Sequence, residues 1–172
     1  MTQKIIAQPL GLIDPENLKE NETFLFPIFY EMFPEDTVRA YKKNSYLVIH
    51  TIYWRKLKKS WGMTQEEFPL SSLPWIANKF ENGFFKTSAE GGLSDFDRSS
   101  SVEFDGELIG INAMAHCCAE NLPGFNIWNA NRASYIDGTP PQQWDIPRYM
   151  LLEQGLLEKL KDLAAQYQAG AL

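Results

Sequence analysis

The clearest pattern in the chain lies near its end. In "IPRYMLLEQGLLEKLKDLAAQY" (146–167), Tyr149, Leu152, Leu156, Leu160, Leu163 and Tyr167 recur at intervals of three and four residues. Glu158, Lys161 and Asp162 fall on the other side. This spacing predicts an amphipathic C-terminal helix packed on a core. Gly155 lies inside it as a point of close packing, since glycine costs a helix about 1 kcal/mol against alanine.

The stretch "SYLVIHTIYWRKLKKSW" (45–61) fits two templates. Tyr46, Ile49, His50, Tyr53, Leu57 and Trp61 would share a helical face, yet Val48, Ile49, Thr51 and Ile52 are strand formers. A strand over 46–54, buried on both faces, is the favoured reading. Its Arg- and Lys-rich end would emerge into solvent.

Elsewhere the pattern is weaker. "KIIAQ" (4–8) reads as a short strand, and "DPENLKE" as a helix start with Asp14 as cap and Pro15 at its first position. Pro27 and Pro34 break the apolar run 23–36, after which "PEDTVRAYKK" reads as a short helix. Thr64 and Glu67 have capping-box spacing but little apolar sequence behind them. "SSLPWIANKFENG" (71–83) predicts a helix capped by Ser72, with Leu73, Ile76 and Phe80 on one face and Gly83 as its stop. Residues 87–101 read as a mobile loop. Asp105-Gly106 signals a two-residue hairpin turn. "NAMAHCCAEN" (112–121) reads as an alanine-rich helix, "GFNIWN" as a strand and "NRASYIDGTPPQQWD" as a long loop. No internal repeat is visible. The sum is an α+β fold, one domain over 1–172, with a small mixed or antiparallel sheet packed by several helices.

Composition changes this picture in one respect. Apolar residues are 44% of the chain, as in ordinary globular proteins, but aromatics reach 13%. Some of those rings are expected to line a pocket or meet a partner. The N-terminus lacks the pattern of a secretory leader, no apolar run is long enough to span a membrane, and two cysteines make no disulfide framework. A cytoplasmic location without membrane association is therefore expected.

Charge is more informative. The net charge is −6, yet residues 39–59 carry Arg39, Lys42, Lys43, Arg55, Lys56, Lys58 and Lys59 and no acid. Tyr41, Tyr46, Tyr53, Trp54 and Trp61 interleave with them. Cations beside rings suit single-stranded nucleic acid, an anionic small molecule or an acidic protein. The net negative charge disfavours the first.

Candidate chemistry is sparse. "AHCCAE" (115–120) holds both cysteines and one of two histidines, but neighbours along a helix point about 100° apart, so His116 is not placed to activate Cys117. Two Cys and two His without spaced pairs make no zinc site. Asp95, Asp97, Glu103, Asp105 and Glu107 read as a solvated acidic face rather than a cation site, since they do not follow the calcium-loop spacing. Phosphate-loop and nucleophile-elbow motifs are absent. "SDFDR" (94–98) and "WNANR" (128–132) each place an arginine beside polar groups in a predicted loop, where sites tend to sit.

Two functional classes follow. The first is a non-enzymatic protein that binds a partner protein or itself. The second is a binding protein or enzyme with an aromatic-lined pocket for a small molecule, anionic ones included. In either, His50, Trp54, His116, Trp128 and Arg132 are the residues expected to bind. No catalytic or metal-binding role and no cofactor is assigned.

Overall fold

In the computed structural model, residues 6–94, 96–118 and 121–172 are described. Among these described residues, eight strands form two antiparallel four-stranded sheets, each in simple sequential order. The first contains β1 (Glu22–Ile28), β2 (Thr37–Lys43), β3 (Tyr46–Arg55) and β4 (Ser60–Pro69). The second contains β5 (Ser99–Phe104), β6 (Glu107–Cys117), β7 (Leu122–Asn129) and β8 (Gln142–Pro147). Three helices accompany them: α1 (Leu73–Asn78), α2 (Arg148–Leu152) and α3 (Leu156–Gln168). The fold is α+β in the broad sense, but strands dominate. The expected single small sheet is replaced by two sheets of equal size.

The same order, four strands and then helix, occurs twice along the chain. At each strand-to-helix junction a proline ends the fourth strand: Pro69 at φ −53°, ψ 134° and Pro147 at φ −56°, ψ 141°. Each follows an acidic and an apolar residue, Glu67-Phe68 and Asp145-Ile146. Proline fixes the backbone angle and needs no hydrogen-bond partner at a helix start, which suits both junctions. Three matching positions separated by 78 residues are too few to be seen as a repeat in sequence alone.

Packing divides the chain into two compact units, Met1–Phe68 with Asn129–Trp144, and Pro69–Trp128 with Asp145–Leu172. In the first, Ile13, Tyr41 and Val48 form a buried cluster with Leu10 and Tyr46 against it. The edge-on contact of Phe24 with Tyr41 (5.7 Å) continues it. Trp144 donates to the Tyr30 hydroxyl at 2.8 Å, which satisfies an indole N–H in a dry setting. In the second unit α1 packs on α3, and Leu73, Ile76 and Phe80 are buried together with Leu156, Leu160 and Leu163. Phe80 sits among Phe84, Phe85 and Phe125, with ring centroids 6.2, 5.9 and 5.0 Å away.

Several local expectations are corrected. "TVRAYKK" is β2, not a helix: Val38 and Ala40 alternate inward with Arg39, and each residue pairs with β3 in unbroken register from Thr37–Ile52 to Lys43–Tyr46. "NAMAHC" belongs to β6, not to a helix, because pairing with its neighbouring strands outweighs alanine's local preference. Of "AHCCAE", Ala119 and Glu120 lie outside the described residues, as do Lys4 and Ile5 of the expected first strand and Asp95 of the acidic cluster. Asp14 closes a turn rather than opening a helix: its carboxylate accepts from the Glu16 backbone N–H and the Asn17 amide, both at 3.0 Å. Thr64 and Glu67 lie in β4. Ser72 does not cap α1; its hydroxyl donates to the Pro69 carbonyl at 2.7 Å. Beyond α1 the coil widens through Lys79–Phe84, and the Phe85 N–H reaches back to Phe80 O at 3.0 Å. Gly155 does not lie within a helix. At φ +75° it separates α2 from α3, and a Cβ there would meet nothing, so conformational freedom and not close packing explains it. Asp105-Gly106, with φ +51° and +81°, makes the two-residue turn between β5 and β6.

Candidate functional site

Each of the five expected binding residues has a distinct place. In the first unit they are His50, Trp54 and Arg132. His50 lies on β3 opposite Arg39 and is 1% exposed, edge-on to Tyr41 at 6.2 Å. Its Nε2 has no hydrogen-bond partner among the described residues. Burial first, and then the charge of Arg39, hold its pKa below the usual histidine value of 6.5.

A pH dependence follows. Above about pH 6.5 neither folded nor unfolded chain holds this proton, and stability is unaffected. Below it the unfolded chain takes up a proton that the folded one refuses. Stability then falls by at most about 1.4 kcal/mol per pH unit until the lowered pKa is reached. Urea midpoints between pH 7.5 and 5 should therefore drop less steeply in His50→Leu than in the parent, and equal slopes would contradict this account.

Arg132 is not free to grip a ligand. It is 4% exposed, its guanidinium donates to Glu67 at 3.0 Å and to the Gln8 carbonyl at 2.8 Å, and it lies 4.4 Å from the Tyr46 ring centre. Glu67, on β4, is the centre of a buried polar network that sequence reading missed. Its carboxylate also accepts from Leu10 N (3.0 and 3.1 Å), Gln65 Nε2 (2.8 Å) and the Tyr135 hydroxyl (2.7 Å). Burial first, then the hydrogen bond to Glu67 and its charge, push the Tyr135 pKa upward, so the phenol remains a donor. Gln65 receives Ile13 N at 3.0 Å and donates to Gly11 O at 3.1 Å. Lys43, buried with Glu22 in an ion pair of 2.8 Å, also donates to Gly11 O. These bonds tie segment 7–13 down by side chains, and Ala7 adds one parallel bridge to Arg132. In sequence Glu67 stood out only for its capping-box spacing to Thr64, and Arg132 only as a loop arginine.

Trp54 lies at the turn end of the β3–β4 hairpin. It meets Trp61 edge-on at 5.2 Å, and the two are 37% and 54% exposed. Met63 is also exposed, and Leu57, in the connecting turn, is fully so. Lys56, Lys58 and Lys59 share that turn. On the other side of the hairpin Tyr53 and Arg55 lie across Gly62, where a Cβ would come within 2.8 Å of the Tyr53 ring. Arg55 donates to Trp61 O at 2.8 Å, fixing the pair of strands beneath the tryptophans.

In the second unit lie His116 and Trp128. His116 is exposed on β6, whereas Cys117 is fully buried. Successive strand residues face opposite ways, so the imidazole and thiol are turned apart. The Cys117 and Cys118 sulfurs are 3.5 Å apart, hydrogen-bonded and not joined as a disulfide, and the neighbouring sulfur together with burial holds the Cys118 thiol protonated. Trp128 is half-buried against Gly110: a Cβ on that glycine would stand 2.0 Å from the indole. Of the acidic cluster, Asp105 accepts from Ser71 at 2.7 Å and Glu107 is buried, so these carboxylates do not form one solvated face. Among the described residues, no group of three His, Cys, Asp or Glu side chains is arranged to hold a metal, and no helix is long and apolar enough to cross a membrane.

Of the three in the first unit, His50 and Arg132 are buried and only Trp54 is open to solvent. The feature with the character of a binding surface is the hairpin end, where Trp54 alone of the five takes part. Set beside protein-family models and curated proteins, the chain matches none.

Proposed function

We propose that the protein is a binding protein that docks an acidic partner protein on the β3–β4 hairpin. The observation that carries this reading is the Trp54–Trp61 pair, held edge-on and left open to solvent. Trp and Met are enriched in interface cores, and tryptophan is the side chain whose truncation most often costs binding energy. Lysines around the pair would meet carboxylates at the rim and speed encounter. Lys43 is already paired with Glu22, whereas Lys56, Lys58 and Lys59 stand in the turn beside the tryptophans. A self-paired hairpin would set these lysines against their own copies, which favours a different, acidic partner over a symmetric dimer.

Selection from a displayed random-peptide library tests the reading. Peptides with Asp or Glu flanking a large apolar residue should be enriched. Their affinity should fall about 30-fold in Trp61→Ala, an anchor loss of about 2 kcal/mol. Lys58→Glu with Lys59→Glu should weaken them too, and added salt should weaken the parent complex. Selected peptides without acidic residues, undiminished binding to Trp61→Ala, or displacement of every peptide by oligothymidine would each reject it.

A further inference from the structure

The second unit contains a cavity of about 330 Å³ that lies outside the reading above. Its apolar wall is made by Phe84, Phe85 and Phe125, whose rings meet at steep angles: Phe125 stands 5.1 Å from Phe84 and 5.6 Å from Phe85. Lys86, Arg98 and Arg148 reach the same space from three separate parts of the chain. Asp97 is the one acid among the described lining residues, and it already accepts from the Ser94 hydroxyl at 3.0 Å. Lys86 lies within electrostatic reach of Glu90, but Arg98 and Arg148 have no carboxylate partner among the described residues. The described lining thus joins an aromatic wall to three cations and one carboxylate.

The wall is built rigidly. The Arg98 carbonyl accepts from Ala113 N at 2.7 Å, which anchors the residue at the entry to β5. The Arg148 guanidinium lies over the Phe85 ring at 5.3 Å, so its position is partly set before any ligand arrives. Between them, Thr87 and Glu90 cap each other reciprocally, Gly92 N reaches Thr87 O at 2.8 Å and Leu93 N reaches Gly83 O at 3.0 Å. At Gly92 a Cβ would come 2.0 Å from the Lys86 carbonyl, so only glycine lets the loop close against itself. The segment expected to be a mobile loop is in fact extensively bonded.

We propose that this cavity binds a small ligand in which an aromatic ring carries a carboxylate or phosphate group. The ring would lie among Phe84, Phe85 and Phe125, where edge-to-face contacts are already the local habit. The anion would take the planar donor forks of Arg98 and Arg148, whose geometry matches two oxygens of either group. The volume suits a single substituted ring.

Calorimetric titration of the full chain with phenyl phosphate and phenylacetate tests this and separates the two anions. At least one should bind saturably at submillimolar concentration. Benzyl alcohol, which lacks the anion, and inorganic phosphate, which lacks the ring, should each bind at least tenfold more weakly. Arg98→Ala and Arg148→Ala should each reduce affinity tenfold or more. Both side chains are exposed, so the variants should keep the parent's circular dichroism and melting temperature. Arg148→Lys should retain part of the affinity, since charge survives and the fork does not. Absence of binding by both aryl anions up to 5–10 mM (roughly the weakest range calorimetry can follow), or equal binding to the arginine variants, would overturn the assignment. So would equal affinity for benzyl alcohol.

Discussion

Glu67→Ala should destabilise the protein by about 3–5 kcal/mol, seen as a lowered urea midpoint with an unchanged slope. The size follows from what the deletion leaves behind. Arg132 would stay buried at 4% exposure with its counter-charge gone. The Tyr135 hydroxyl, Gln65 amide and Leu10 N–H would each lose an acceptor in a dry region. Removing one member of a buried ion pair costs more than the pair itself is worth, because the remaining charge has no water to turn to. Glu67→Gln keeps an acceptor oxygen and should fall between parent and alanine variant. Arg132→Ala combined with Glu67→Ala should cost less than the two single losses added together, since the second change removes the stranded charge. A loss below about 1 kcal/mol in Glu67→Ala would mean that the network does not hold segment 7–13 in place.

The second large effect belongs to Phe80. Its ring is wholly buried and touches three others, at 5.0, 5.9 and 6.2 Å. Phe80→Ala should cost about 3–5 kcal/mol, the transfer energy of the ring plus the void it leaves. Phe80→Leu, which fills most of that void, should cost markedly less. Because Phe84, Phe85 and Phe125 also form the cavity wall, their repacking after Phe80→Ala should weaken aryl anion binding while Arg98 and Arg148 are intact. Chemical denaturation gives the first quantity and calorimetry the second. A stability loss no larger than that of an exposed phenylalanine, such as Phe96→Ala, would show that the ring cluster is not tightly packed.

Much of the local structure was legible from the chain because a short-range rule decided it. Strand formers over 46–54 outweigh the helical spacing of the same residues, and β3 runs from Tyr46 to Arg55. Asp105-Gly106 can turn where few other pairs can, since both residues adopt positive φ. Leu73, Ile76 and Phe80 share a buried face because three- and four-residue spacing returns to one side of a coil. Where local preference and pairing conflict, the reading fails. Residues 37–43 and 112–117 have composition acceptable to a helix, and only neighbouring strands make them β2 and β6.

Binding residues were less legible for the same reason. Arg132 in "WNANR" and Arg98 in "SDFDR" are alike in sequence: each is an arginine among Asn, Asp and Ser. One is buried against Glu67, 65 positions away, and the other lines an open cavity with Arg148. No local signal separates them. His50 was marked for its chemistry, but its position opposite Arg39 in a buried strand disfavours its charged form, and its Nε2 has no hydrogen-bond partner among the described residues. Trp54 was marked for its ring, and what makes it a surface feature is Trp61 across the hairpin.

By itself, then, the sequence settled what depends on neighbours along the chain: the turn at Asp105-Gly106, the strand at 46–54, the aromatic abundance and the acid-free stretch 39–59. Tertiary structure alone decided the two-sheet arrangement, the Glu67 network and the placing of Arg98 and Arg148 on one cavity. The physical reason is distance. Strand pairing, burial of charge and the closing of a cavity depend on residues tens of positions apart, and their free energies exceed the few tenths of a kcal/mol per residue that local propensity supplies.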